Sequence, residues 1–168
     1  MPNHITNIIT SKRLSDIYKI LKGHEADVDF NRLVPMPSDV VASYGTAGLH
    51  PKWYDWSIEN WGTKWNAYEI CATPDDIRFD TAWSCPVPIV QALADHYIPF
   101  RWEYADEDIG HNAGVWTYTG SGDPIYSEFG DPVEAALTIK GYDKEEYYRE
   151  MEEWRAEATD SESSIEGF

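Results

Sequence analysis

The stretch 79–97, FDTAWSCPVPIVQALADHY, predicts a strand that runs directly into a helix. Phe79, Thr81 and Trp83 alternate along the strand, so their side chains share one face, which we expect to be buried. Ser84 is positioned to cap the helix that follows. That helix carries an apolar stripe at helical spacing, formed by Val90, Leu93, Ala94 and Tyr97. A strand joined to a helix in this way needs a sheet to lie on.

Alternating apolar and β-branched residues predict strands along most of the chain. The predicted strands are residues 4–10, 28–37, 64–70, 76–84, 99–108, 115–120 and 124–129. Further helices are predicted after a cap at Thr10 or Ser11, from Asp131 to Gly141, and from Asp143 onward. Residues 38–61 show no clear periodicity and are left as a long loop that could hold short helices.

This order of elements predicts an α+β sandwich with a split β-α-β skeleton. We expect a mostly antiparallel sheet with helices on one face, an inserted loop and extra C-terminal helices. Residues 1–158 are expected to form a single domain. The tail, 159–168, is rich in Ser and Glu and is expected to be disordered and acidic.

Composition limits the class of partner. The net charge is −17, from 30 Asp+Glu against 13 Lys+Arg. Direct binding to nucleic acid or to an anionic membrane is disfavoured, because both need basic residues. No segment resembles a signal peptide or a membrane span. Without an export signal, Cys71 and Cys85 are expected to be reduced thiols in the cytoplasm.

Five strings occur in the order found in a known family: MPNHITN, FNRLVPMP, NWGTKWNAY, FDTAWSCPVP and YADEDIGHNAG. Over roughly residues 1–115 the chain thereby resembles the YubB-type family of uncharacterised phage and plasmid proteins. The resemblance implies a ferredoxin-like domain and a mobile-element setting, and it implies no catalytic residues. The fold name carries no cofactor, since two cysteines cannot supply the four thiolates of an iron–sulfur cluster.

The turn 106–112 is the most acidic short segment near a predicted strand end. Asp106, Glu107 and Asp108 precede His111 and Asn112, a set that could attract a hard divalent cation. The spacing fails as a calcium-binding EF-hand loop, and zinc needs more His or Cys ligands. We therefore predict no metal site and a solvated acidic turn.

The string NWGTKWNAYE, residues 60–69, places two tryptophans around a lysine. Trp61 and Trp65 would share one face of an extended segment, with Lys64 and Asn66 on the other. Such a set could form an aromatic pocket or could be core beneath the long loop.

Cys85 is the one candidate nucleophile, because a helix start lowers a thiol pKa. His96 lies about 16 Å further along the same helix and cannot serve as its base, whereas His111 or His4 could do so if the fold brings either of them close.

Two functions from different classes fit these observations. The first is a non-enzymatic accessory protein that binds a basic host protein or nucleoprotein complex through an acidic surface of Glu103, Asp106, Glu107 and Asp108. Its concrete form is an inhibitor of host defence, of the anti-CRISPR or anti-restriction type, that mimics DNA. The alternative is a small-ligand binder or enzyme. Its pocket would be formed by Trp61, Lys64, Trp65, Asn66, His111 and Asn112.

Overall fold

Strand β1, His4–Thr10, lies in the middle of a six-stranded antiparallel sheet. The structure is a computed structural model that describes residues 2–44 and 52–166. The strand order is β2-β3-β1-β4-β5-β6. The other strands are β2 (Tyr68–Ala72), β3 (Ile77–Ala82), β4 (Phe100–Asp106), β5 (Ala113–Tyr118) and β6 (Ile125–Ser127).

The helices are α1 (Leu14–Leu21), α2 (Ser38–Val41), α3 (Lys52–Asn60), α4 (Val87–Ala94), α5 (Pro132–Lys140) and α6 (Lys144–Glu166). Strands β1 to β4 together with helices α1 and α4 follow the order β-α-β-β-α-β of the ferredoxin-like fold, with α2 and α3 inserted between α1 and β2. Strands β5 and β6 extend the sheet beyond β4. The predicted α+β, ferredoxin-like class is confirmed.

The two faces of the sheet bury separate cores. Ile5 and Ile9 of β1 point to the face covered by α1 and α4, where Ile17 and Leu93 join the main core. Ile8 points the opposite way and packs with Ala105 of β4 and with α5. Residues of α5 in this smaller core are Ala136 and Ile139. Helix α5 thus adds a layer on the second face, beyond the one-sided helical layer expected.

Asn7 is a fully buried polar residue at the centre of β1. Its side-chain amide donates to the Thr81 hydroxyl of β3 at 2.9 Å, and its carbonyl oxygen accepts from the Trp102 indole N–H of β4 at 3.0 Å. Asn7 therefore links the three central strands through side chains as well as through the backbone ladder. Since each buried polar atom in this set needs its partner, the set fixes the strand register.

The segment between α1 and β2 departs from the prediction. Residues 28–37 form no strand, because Asp29 caps a 3₁₀ turn, Phe30–Arg32, by accepting from the Asn31 backbone N–H. Phe30 enters the core from this turn. Within the predicted loop 38–61, helices α2 and α3 are present, and residues 45–51 lie outside the described residues.

Helix ends were predicted with mixed success. Asp131 accepts from the Glu134 N–H at 3.1 Å, and Gly141 ends α5 in a left-handed conformation, both as predicted. Ser84 does not cap α4, which begins at Val87, because its hydroxyl bonds the Gly62 carbonyl. The predicted caps of α1 also fail, since α1 begins at Leu14 with no side-chain cap.

Helix α6 continues to Glu166, so the tail predicted to be disordered from residue 159 is helical as far as it is described. Most of the helix is exposed, and Trp154 is 63% exposed. Both cysteines are free thiols, with Cys71 exposed and Cys85 buried. In the described parts of the chain, no helix combines the length and the apolar character that crossing a membrane requires.

We expect Asn7→Leu to lower the free energy of unfolding by roughly 2–4 kcal/mol, because the buried indole N–H of Trp102 loses its acceptor. Urea unfolding at equilibrium measures the loss. In the Asn7→Leu background, Trp102→Phe should cost less than in the wild type, with a coupling of about 1 kcal/mol or more. Strictly additive effects of the two substitutions would contradict the role given to this hydrogen bond.

Candidate functional site

Three strand ends meet at the His4 end of β1. His4 pairs with Ala82, the last residue of β3, and Ile5 pairs with Asp106, the last residue of β4. The segments that leave these strands, Trp83 on one side and the turn 107–112 on the other, therefore start next to each other. Most of the side chains singled out in the sequence lie at this end of the strands, which we call the edge of the sheet.

The segment before β2 is anchored to the same edge by Thr63. Its buried hydroxyl donates to the Ala82 carbonyl at 2.8 Å and accepts from the Ala82 N–H at 3.1 Å. Gly62 precedes it with φ +74°, and an added Cβ there would lie 2.7 Å from Pro88. The close approach of this turn to α4 therefore requires glycine. Together these contacts place Lys64 and Trp65 beside the end of β3.

The Lys64 ammonium lies among three aromatic rings. Its Nζ atom is 4.6 Å from the Trp65 ring centroid, 5.0 Å from that of Trp83 and 6.0 Å from that of Tyr54. Tyr54 also meets Trp83 edge to face, with centroids 6.3 Å apart. Each distance is within the range of a cation–π attraction, which is electrostatic and strongest for Trp.

The row of rings continues across the edge of the sheet. Trp65 contacts Tyr68 edge to face at 6.5 Å, and Tyr68 contacts His4 at 5.5 Å. We call the surface formed by Tyr54, Lys64, Trp65, Tyr68 and Trp83 the aromatic ridge. The Tyr68 hydroxyl lies 2.5 Å from His4 Nδ1. Burial, followed by the nearby charges of Asp80, Glu107 and Glu69, raises the pKa of Tyr68 to about 12, so the phenol stays protonated.

Backbone strain is concentrated at the same edge. Four non-glycine residues in the described ranges have positive φ. One of them, Trp83, belongs to the aromatic ridge, and two more, Glu69 and Asn112, lie next to it. Trp83 has φ +71°, which is rare for a bulky residue. Its backbone is held there by its own N–H, which donates to the Asn3 carbonyl, and by its carbonyl, which accepts from the Asn112 amide. Such strain persists only where surrounding contacts impose it.

Trp83 does not share the buried face of Phe79 and Thr81, so that prediction is wrong. The strand ends at Ala82, and the left-handed conformation at residue 83 turns the side chain out of the alternation. The ring is 40% exposed. Tyr97 is likewise exposed after the end of α4, whereas Val90, Leu93 and Ala94 form the predicted buried stripe.

The predicted pocket residues separate into two groups. Trp61 is only 1% exposed and donates its indole N–H to the Val34 carbonyl, so it belongs to the core. Asn66 accepts from the Phe30 N–H and donates to Asp29, which ties the 3₁₀ turn to β2. Lys64 and Trp65 face the surface instead. Of the four pocket residues predicted from the string 60–69, only Lys64 and Trp65 contribute to the aromatic ridge.

The turn 106–112 reaches the ridge through Asn112. Its amide donates to the Trp83 carbonyl and to the Asp106 carboxylate, each at 3.1 Å. His111 faces away with Asp108, at 3.3 Å between Nδ1 and Oδ2, and both side chains are exposed. His111 and Asn112 both line a cavity of about 380 Å³ next to Tyr104. Asn112 is therefore a positioning residue for Trp83.

The four carboxylates expected to form one acidic surface do not do so. Asp106 is only 6% exposed and accepts hydrogen bonds from Asn3, from Asn112 and from the Asp108 backbone N–H. Asp106 is the cross-strand partner of Ile5 of β1, and directly paired residues point to the same face of a sheet. Since Ile5 points into the main core, the Asp106 side chain also points into the protein. Glu103 pairs with Arg101 at 2.6 Å further along β4. Glu107 and Asp108 remain exposed.

Cys85 is not an activated nucleophile. Burial raises the pKa of its thiol, which opposes the lowering expected from the start of α4. Across the described ranges, no group of three or more His, Cys, Asp or Glu residues could hold a metal ion. Behind the ridge, burial raises the pKa of Asp80 and lowers that of Lys140, whose ammonium donates to the His4 carbonyl.

Sequence reasoning missed Tyr54 and Tyr68 of the aromatic ridge, and it missed His4, which contacts Tyr68. Tyr54 lies in α3, within a stretch that was predicted to be a loop, so the face on which its side chain lies was not predicted. Tyr68 begins β2 and pairs with Asp80 on the face opposite the main core, a position that requires the register to be known. The only advance signal was the density of aromatic residues in 53–68.

We expect Trp83→Ala to reduce the free energy of unfolding by less than about 1.5 kcal/mol, because the ring is partly exposed and the substitution leaves no core cavity. Phe79→Ala, on the preceding strand, is the control and should cost roughly 3–5 kcal/mol. Urea unfolding of both variants makes the comparison. Equal losses in the two variants would show that Trp83 is a core residue after all.

Asp106→Ala should destabilise the protein by roughly 2 kcal/mol or more, because three donors lose a charged acceptor in a buried site. Asp108→Ala is the matched control, since it removes an exposed carboxylate from the same turn and should change stability by at most about 0.5 kcal/mol. Thermal and urea unfolding measure both. If the two substitutions have the same small effect, Asp106 is a surface charge.

The comparison with known proteins agrees with this architecture. A family model described as the ferredoxin-like domain in Api92-like protein matches residues 60–167. The match spans β2 to β6 and includes the C-terminal helices, which lie beyond the stretch of resemblance noted in the sequence. No curated protein and no solved structure matches the chain. Since the matched part is more than half of its length, the chain belongs to the family of the ferredoxin-like domain in Api92-like protein.

Proposed function

We propose that this protein is a non-enzymatic recognition protein that docks a basic partner protein on the aromatic ridge. The observation that carries the proposal is the exposed Trp83 ring beside Lys64, held out of the core by a strained backbone. Strained backbone conformations cluster at binding and switch sites. Exposed Trp and Tyr side chains supply most of the binding energy at protein interfaces.

Charge around the ridge favours a basic partner. Exposed acidic residues border the rings: Asp55 follows Tyr54, Glu69 follows Tyr68, and Glu107 accepts a hydrogen bond from the His4 backbone. An aromatic centre with a charged rim matches the anatomy of transient interfaces. The rim would steer a basic partner towards the rings and would do so less effectively at high salt.

The groups on the ridge suit binding better than catalysis. The Lys64 ammonium is engaged in cation–π contacts with the three rings around it. Tyr68, with its pKa near 12, keeps its proton at neutral pH. A small-ligand site or active site formed by the predicted pocket residues of 60–69 is less well supported. Trp61 packs in the core, and the Asn66 side chain is hydrogen-bonded to the 3₁₀ turn.

We further propose that the protein acts in the cytoplasm of a bacterial host as an accessory product of a phage or plasmid. The resemblance to YubB-type proteins supports this setting, and the exposed thiol of Cys71 suits a reducing compartment. Inhibition of a nucleic-acid-handling defence system is the specific role we favour. It rests on the net charge of −17, which would attract the basic surface of such a system.

A second surface is a candidate for the same partner class. Helix α6 contains nine Asp and Glu residues against three Lys and Arg, and it is exposed along most of its length. Tyr147 and Met151 lie on its partly buried side, and Trp154 is exposed. This helix, and not the four carboxylates expected from the sequence, is where an acidic surface could act.

The proposal predicts that host proteins that bind the wild-type chain bind much more weakly when residues of the aromatic ridge are substituted. The test variant is Trp65→Ala with Trp83→Ala, and we expect at least a 30-fold weaker affinity for each captured partner, or about 2 kcal/mol. Tyr97→Ala is the control, because Tyr97 is also exposed and also has positive φ but lies away from the ridge. Binding kinetics with the purified partner, across salt, give the affinities.

The same experiment separates the two surfaces. An on-rate that falls steeply with salt supports a basic partner and an acidic rim. If the ridge variant binds like the wild type while Trp154→Ala on α6 weakens binding, the ridge is not the interface and the acidic helix takes its place. Unfolding curves of every variant show that a lost interaction is not a lost fold.

A further inference from the structure

The end of the sheet opposite the aromatic ridge contains a cavity of about 720 Å³. It lies between the connection from β1 to α1 and the start of β4, with the turn before β3 at one side. Sites for small organic ligands usually have volumes of about 300–1,000 Å³. The cavity is therefore large enough for a ligand of nucleotide size.

The lining of this cavity is basic although the protein is strongly acidic. Lys12, Arg13 and Arg101 line it, against one carboxylate, that of Asp75. These are three of only 13 Lys and Arg residues in the chain. Their convergence gives the cavity a local charge opposite to that of the molecule, and such a site attracts anions.

The cations at the cavity are available to a ligand. Lys12 is exposed and forms no ion pair with the residues that the structure describes. Arg13 pairs with Asp16 at 3.0 Å and Arg101 with Glu103 at 2.6 Å, but neither of these carboxylates lines the cavity. Both pairs are largely exposed, so exchanging them for a ligand anion costs little.

One side of the cavity is apolar and firmly held. Pro99 is exposed beside the rings of Phe100 and Tyr118, whose centroids are 5.5 Å apart. The Ser11 hydroxyl donates to the Pro99 carbonyl at 2.6 Å and accepts from the Arg13 N–H at 3.0 Å. This link fixes the apolar side relative to the basic side, so the two are presented together.

We propose that this cavity binds a small organic anion in which a phosphate is joined to a flat ring, of the size of a mononucleotide. The phosphate would lie among Lys12, Arg13 and Arg101, where charge-assisted hydrogen bonds are strong. The ring would lie against Pro99, next to Phe100 and Tyr118. The site is independent of the aromatic ridge, because roughly 20 Å of β1 separates the two ends of the sheet.

The test uses the full chain and three probes: adenosine 5′-monophosphate, adenosine and inorganic phosphate. Binding is followed by calorimetry and by backbone amide shifts in NMR spectra. We expect the monophosphate to bind at least tenfold more tightly than either of the other two, with shifts centred on residues 10–13 and on Arg101. Equal affinities for adenosine and its monophosphate would overturn the proposal, as would phosphate binding as tightly as the monophosphate.

Variants place the phosphate within the cavity. Lys12→Gln and Arg101→Gln should each weaken binding of the monophosphate by about tenfold, the usual effect of losing one charge-assisted hydrogen bond. Lys19→Gln is the matched control, because Lys19 is an exposed lysine of α1 that lines a different cleft, and this variant should bind like the wild type. If all three variants lose affinity equally, the effect is one of general charge and the assigned site is wrong.

Discussion

The hydrogen bonds of Asn7 are the constraint on which the arrangement of the sheet depends. A polar side chain at the centre of the middle strand is tolerated only because Thr81 and Trp102 satisfy it from the two neighbouring strands. A slip of β1 by one residue would place Asn7 on the α5 face and turn Ile8 into the main core. The network therefore selects one register of β1. Apolar contacts alone would discriminate less between this register and a shifted one, because they are not directional.

That register determines where the strands end and so builds the candidate surface. With His4 opposite Ala82 and Ile5 opposite Asp106, the chain leaves β3 and β4 at the same edge. The buried carboxylate of Asp106 then holds Asn112, which holds the carbonyl of Trp83. A chain of hydrogen bonds thus runs from a strand end to an exposed ring. The ridge is positioned by the fold's interior, although its rings add little to the core.

The sequence was sufficient for the elements whose residues follow one local rule. Alternation identified β1 over its full length, and the Asp131 cap with Gly141 bounded α5. Prediction failed where a tertiary contact overrides the local rule. Residues 28–37 have the composition of a strand, but the Asp29 and Asn66 side chains satisfy the backbone of a 3₁₀ turn. Trp83 continues a strand pattern, but a left-handed backbone ends it.

The candidate site was less predictable than the fold, because exposure of a charged or aromatic residue depends on register. Asp106 and Asp108 look equivalent in the sequence, yet one is a buried acceptor of three hydrogen bonds and the other is exposed. Likewise Trp61 and Trp65 flank the same lysine, and only Trp65 reaches the ridge. No periodicity rule distinguishes the members of either pair, since the difference arises from contacts with distant strands.

The residues that stabilise the fold and those of the proposed recognition surface lie in different parts of this molecule. A left-handed conformation at a non-glycine residue costs on the order of 1–3 kcal/mol, and a partly exposed Trp returns little of it through burial. The main core on the α1 and α4 face contains fully buried Phe30, Phe79 and Trp102, whose packing can offset that cost. Because the strain lies at the sheet edge and the packing lies beneath it, the ridge residues contribute little to stability, as the proposed recognition role requires.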